Sequence, residues 1–195
     1  MPVRNDREYR AVQQPFETGS EDFIVEGYAS TFEPYVLWRE GDTEVREQID
    51  PKAFTDTDMS DTILQYDHEG RIYARVSNST LQLSVDEHGL KVRADLSRTE
   101  SARQLYEEIK SGLITQMSFA FTIAEDEYNK KERLRTVKRI RKLYDVSAVS
   151  IPANPGTEIS ARSFFNGAIE EERAERLAAE EHARKVEKLK LRLSL

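Results

Sequence analysis

With no cysteine in the sequence, the groups in this chain able to move protons or attack carbonyl carbons are hydroxyls, carboxylates, lysine amines and three imidazoles. Without thiols there is no disulfide framework, no thiolate metal site and no cysteine nucleophile. No two histidines stand at helical ligand spacing, so neither a metal nor another cofactor is expected. His88 falls in the turn Asp86-Glu87-His88-Gly89, where an exposed polar ring is routine, and His182 falls among charged residues. His68 differs. It follows the apolar run Thr62 to Tyr66, between Asp67 and Glu69, where a side chain at a strand end can project into a cleft and serve as a general base. A turn histidine without any such role is the plainer alternative.

A base of this kind matters only if it meets a group worth deprotonating. Serine attacks a carbonyl when a neighbouring base takes its proton and a third group fixes that base. Ser118 lies among Met117, Phe119 and Phe121 but on the opposite face of their stripe, and Asp145 interrupts the apolar run Leu143-Tyr144-Asp145-Val146. Burying a lone carboxylate is costly unless it is paired, and an imidazole N–H is a suitable partner. Read in isolation, Ser118 also fits a small residue packed against a neighbouring strand. Among 36 Asp and Glu residues nothing singles out a glycosidase-like pair.

The elements that would position these groups can be read from periodicity. Phe23 to Phe32 alternates as a strand, Glu33 to Asp50 suggests a long loop or loose hairpin, and Asp50-Pro51 opens a turn with a short helix at Ala53-Phe54. Leu81, Leu83 and Val85 pair with Leu90, Val92, Ala94 and Leu96 across the His88 turn as a hairpin. A helix is expected between Thr99 and Ser111, capped by Thr99, buried through Ala102, Leu105, Tyr106 and Ile109, and ended by Gly112. Period-two patterning then returns from Met117 to Ile123, and the charged segment Glu125 to Arg135 is the expected tip of a long hairpin. Its return arm ends at Ile151, where Pro152 and Pro155 bracket Ala153-Asn154 in a rigid loop.

At 195 residues, with 38% apolar and 33% charged residues, the chain suffices for one domain and a tail. The net charge of −7 speaks against nucleic acid as a partner, and the basic stretch Lys130 to Lys142 reads as a solvated hairpin. No apolar window is long enough for a membrane helix, and Met1 to Gln14 lacks a signal-type stretch, so neither membrane insertion nor export is expected. From Ala168 onward acidic residues precede basic ones, the polarity that suits an exposed helix.

Six blocks carry a resemblance to the prohead (capsid maturation) serine proteases of tailed bacteriophages, relatives of the herpesvirus maturational proteases. They are Val25 to Phe32, Ile49 to Phe54, Tyr66-Asp67-His68-Glu69, Gly89 to Val92, Ile109 to Ile114 running into Met117-Ser118-Phe119-Ala120-Phe121, and Leu143 to Ser147 with Ile151-Pro152-Ala153-Asn154-Pro155. Together they cover roughly residues 23–160. The resemblance implies an α+β fold with a mostly antiparallel, β-barrel-like core, flanking helices and a charged helical C-terminal extension. The corresponding divisions are a flexible lead-in over 1–22, a protease domain over 23–165 and the extension over 166–195. It implies His68 as general base, Ser118 as nucleophile and Asp145 as the third member, where herpesvirus relatives use a second histidine. Ala120 departs from the family pattern, which more often has glycine there. Backbone N–H groups of Ala153 or Asn154 are the expected oxyanion donors. The implied activity is endopeptidase cleavage of scaffold and major capsid protein segments, and of the chain itself, inside the immature capsid in the host cytoplasm. A homo-oligomer fits as well. The competing expectation is a non-catalytic scaffold or head-assembly module built on the same fold.

Overall fold

The computed structural model describes residues 7–12, 17–19, 21–40, 43–150, 174–175 and 177–186. Two compact units divide the chain, Met1–Glu158 and Ile159–Leu195. In the second, the described residues are helical and exposed, with Lys185 Nζ 3.1 Å from Glu181 Oε1 one turn earlier. No helix among the described residues is long and apolar enough to cross a membrane.

The first unit runs β1 (Glu8–Val12), β2 (Glu17–Thr18), β3 (Ile24–Thr31), β4 (Tyr35–Glu40), β5 (Thr43–Ile49), β6 (Ile63–Tyr66), β7 (Glu69–Arg75), β8 (Leu81–Val85), β9 (Gly89–Asp95), α1 (Glu100–Lys110), β10 (Gln116–Asn129) and β11 (Leu134–Val149). Among the described residues these strands form two sheets. The larger has the order β1-β10-β11-β5-β4, with β6 also paired to β11 and β7 to β6; the smaller has the order β2-β3-β9-β8.

The long hairpin β10–β11 is the spine of the larger sheet. Its strands persist through the charged segment expected as the tip, so that only residues 130–133 turn. Along its other side β11 meets two parallel partners in succession. Leu134–Val137 face Arg46–Ile49 of β5, and Asp145–Ala148 face Ile63–Tyr66 of β6. The chain between β5 and β6 also follows β11, through Ile140 N–H to Ala53 O, Asp58 N–H to Arg141 O and Leu143 N–H to Asp58 O. β5 and β6 therefore act as one interrupted strand. Instead of a helix, Ala53-Phe54 forms part of a turn, closed by Ala53 N–H to Asp50 O at 2.8 Å.

The barrel closure implied by the resemblance is corrected here, whereas most ladders are antiparallel as it implied, β11–β5 and β11–β6 being the parallel ones. Closure requires the ladder to return to its first strand, whereas among the described residues β1 pairs only with β10 and β4 only with β5. The result is a β-rich α+β fold of two open sheets, one of them mixed, and the described part of the first unit has one α-helix.

That helix forms where the sequence predicts it. Thr99 accepts Ala102 N–H at 3.1 Å, and Ala102, Leu105, Tyr106 and Ile109 are buried. Gly112 takes φ +77, and Gly112 N–H to Ile109 O with Leu113 N–H to Glu108 O satisfies carbonyls of the last turn. The helix face joins the two sheets in one core with Val25, Leu64, Leu90, Val92, Phe119 and Val146. In the β8–β9 turn, Gly89 packs against the Ser30 carbonyl so closely that a Cβ would lie 1.9 Å from that oxygen.

The segment expected as a lead-in contributes β1 and β2. β1 is polar, yet it docks on β10 because its charges are paired inside the protein. Arg10, 1% exposed, donates from Nε to Glu47 Oε1 at 2.5 Å and from Nη2 to Glu47 Oε2 at 3.0 Å and to Glu8 Oε2. Arg135 of β11 donates to both Glu8 oxygens at 2.9 and 3.0 Å and to Glu47 Oε2 at 3.1 Å. Tyr35 of β4 donates its hydroxyl to Glu47 Oε1 at 2.5 Å. Burial pushes the Glu8 carboxyl upward, but Arg10 and Arg135 outweigh it and hold the group below the usual glutamate range. Burial, and then the Glu47 charge, raises the Tyr35 phenol well above its ordinary value.

Candidate active site

Three elements bring His68, Ser118 and Asp145 together. Opposed residues of an antiparallel ladder share a face. Ser118 lies opposite Ser147, and Ala120 opposite Asp145, so all four stand on one face of the β10–β11 hairpin. Met117, Phe119 and Val146 have the other parity and enter the core. β6 runs parallel to this part of β11 and ends at Tyr66, opposite Ala148, which delivers the Asp67-His68 turn beside the Ser118 face.

That turn is strained and must be held. Asp67 and His68 both adopt left-handed backbone, with φ 48 and 59, a conformation that costs about 1–2 kcal/mol per non-glycine residue. Asp67 N–H donates to Ala148 O at 2.9 Å. Ser150 closes the clamp, donating its N–H to Asp67 Oδ1 at 2.9 Å and its hydroxyl to Oδ2 at 2.8 Å. The Asp67 carboxylate thus ties the histidine turn to the end of β11.

His68 is then within reach of both partners. Its Nδ1 lies 2.5 Å from Asp145 Oδ1 and its Nε2 lies 2.7 Å from Ser118 Oγ. An ionised carboxylate only accepts, so Nδ1 carries the proton and the lone pair of Nε2 faces the serine hydroxyl. Ser118 is 0% exposed and Asp145 4%, while the His68 side chain retains 14% exposure. Tyr9 of β1 stands edge-on to the imidazole, with ring centroids 4.7 Å apart, and lies opposite Ala120 in the ladder. A hydroxyl bonded to an oriented imidazole, itself bonded to a buried carboxylate, is an arrangement suited to acyl transfer.

The other histidines stand apart from this cluster. His88 occupies the β8–β9 turn of the smaller sheet with its side chain 70% exposed, and His182 is exposed in the second unit. Ala153 and Asn154, expected to supply oxyanion donors, lie outside the described residues. Four neighbours of the site had no role assigned from the sequence. Ser147 donates its hydroxyl to Asp145 Oδ1 at 2.8 Å, Asp67 and Ser150 form the clamp, and Tyr9 contacts the ring. Ser147 was findable, since it has the strand parity of Asp145. Tyr9 was not, because it depends on a long-range pairing of β1.

Residues 9–191 match the family model described as Caudovirus prohead serine protease. The chain is similar to the prohead protease of Enterobacteria phage HK97, with 34% identity over 86 residues that cover 44% of this chain and 38% of that protein. It is also similar to the prohead protease of Escherichia phage T5, with 25% identity over 109 residues, 56% of this chain and 50% of that protein. The matches thus span half or less of the length of these curated relatives. No solved structure gives a significant match. With its match running over most of the sequence, the chain belongs to the caudovirus prohead serine protease family.

Proposed function

We propose that the chain is a prohead maturation endopeptidase in which Ser118 is the nucleophile, His68 the general base and Asp145 the residue that orients it. The observation that carries this reading is the unbroken hydrogen-bonded line from Ser118 Oγ through both ring nitrogens of His68 to Asp145 Oδ1. His68 Nε2 takes the serine proton as Oγ attacks the scissile carbonyl, and returns it to the leaving amine; Asp145 stabilises the imidazolium between those steps. A water molecule, deprotonated by the same imidazole, then releases the acyl group. The tetrahedral oxyanion calls for fixed donors, for which the backbone N–H groups of Ala153 or Asn154 remain our assignment. The substrates under this reading are segments of the major capsid protein and scaffold, and the chain itself, cleaved within the prohead in the infected host.

Co-expression with the cognate capsid and scaffold proteins, followed by intact-mass measurement of all three, tests the proposal. Ser118→Ala should leave every product at full length while the parent trims them. Trimming that survives this substitution would overturn the assignment of the nucleophile.

A further inference from the structure

Ser147 is not required to write the proton relay, yet it is built into it. Its Oγ lies 2.8 Å from Asp145 Oδ1, the same oxygen that faces His68 Nδ1. Ser147 is fully buried, so its hydroxyl has no solvent alternative. Because the carboxylate can only accept, the hydroxyl must donate. In the ladder Ser147 is directly opposite Ser118, which places a second hydroxyl on the reactive face two residues from the acid. The two donors to Asp145 Oδ1 come from different elements, one from the turn after β6 and one from β11 itself. The terminal torsion of an aspartate is broad and two-fold. One donor alone leaves the carboxylate plane free to swing, whereas two donors from different directions fix it.

We infer that Ser147 is a positioning residue for this relay, acting through Asp145: its hydroxyl holds Oδ1 in line with the His68 Nδ1–H bond. The inference rests on the reading of Ser118, His68 and Asp145 given above. The rate that depends on an oriented imidazole falls when Ser147 loses its hydroxyl, and substrate binding does not, because that buried hydroxyl is engaged by Asp145 Oδ1.

The test is the second-order rate at which a fluorophosphonate probe labels Ser118 in the full chain. Ser147→Ala should label about tenfold more slowly, the scale of one hydrogen bond to a charged group. Placed in an Asp145→Asn background, the same substitution should add almost nothing, because two residues acting through one carboxylate are not additive. Ser147→Thr keeps the hydroxyl and should label close to the parental rate. Ser147→Val, equal to threonine in shape but without the hydroxyl, should behave like alanine. That threonine–valine pair carries the test if thermal unfolding shows Ser147→Ala to be misfolded. Parental labelling in Ser147→Ala, equal rates for the threonine and valine variants, or a full tenfold loss added to Asp145→Asn each overturn the inference. Ser118→Ala separates the two levels. Labelling that persists there sinks the nucleophile assignment and the inference with it, whereas labelling abolished there but unchanged in Ser147→Ala sinks the inference alone.

Discussion

In the proposed relay, His68 can act as the base only because its neighbours decide where its two nitrogens point. Asp145 fixes the proton on Nδ1, Ser118 occupies Nε2, and Tyr9 bounds the ring from the side. Replacing the acid by an amide alters the tautomer while keeping the shape, so Asp145→Asn should lower kcat by roughly three to four orders of magnitude, as measured on a capsid-derived peptide. His68→Ala should be as damaging, and His88→Ala should leave the rate unchanged; a matching loss at His88 would mean that the base is wrongly assigned. The backbone under His68 offers a subtler test. Asp67→Ala removes the acceptor of both Ser150 hydrogen bonds at a position with φ 48. A displacement of about 1 Å at a reacting group can cost about a hundredfold in rate, and a loss of that order is expected for this variant. Asp67→Asn keeps an acceptor and tolerates the left-handed backbone, so it should retain most of the activity. Equal rates for the two variants would show that the clamp does not position the base.

At the level of elements, what was legible depended on whether the signal is local. The helix was readable because Thr99, the apolar stripe and Gly112 all lie within one short segment, and the structure reproduces each of them. The β8–β9 and β10–β11 hairpins were readable because alternation and turn residues sit side by side in the chain. The placing of His68 beside Ser118 and Asp145 was not. It depends on β6 choosing the same side of β11 as β5, a parallel pairing across 82 positions from Ile63 to Asp145 that leaves no periodic trace. The resemblance, rather than any pattern in the residues, named those three together. β1 was missed for a different reason. Its inward residues Glu8 and Arg10 are charged, so its alternation looks like that of a solvated segment until Glu47 and Arg135 are seen to complete the cluster. Arg10→Met tests whether this cluster docks the strand. Removing one partner of a buried ionic group typically costs about 3–5 kcal/mol, and a loss of that size in denaturant unfolding is expected. A change below about 1 kcal/mol, the scale of exposed pairs, would show that β1 is held by its backbone ladder alone.

Across the whole molecule, the same cluster links stability to pH. The sheets share one core, so a charge group that joins β1, β5 and β11 through Glu8, Glu47 and Arg135 is coupled to global unfolding rather than to local fraying. The Glu8 carboxyl is held below its ordinary value of 4.5, so the unfolded chain takes up a proton there before the native protein does. Stability from this group is therefore fully present above about pH 4.5 and is lost as the pH falls through the depressed native value. Asp58, on the surface beside Lys142, is lowered to about 2 by its hydrogen bond to that lysine and to Ser60, and acts in the same direction. The two contributions separate by salt. Ions screen the exposed Asp58–Lys142 pair, while the Glu8 cluster is shielded by burial. Thermal unfolding of the parent and of Glu8→Gln, from pH 7 to pH 3 in low and high salt, should show a gap that is widest at neutral pH and closes on acidification. High salt should leave that gap nearly intact. A gap that is constant with pH would mean that Glu8 contributes packing rather than charge, and one erased by salt would place the cluster in contact with solvent.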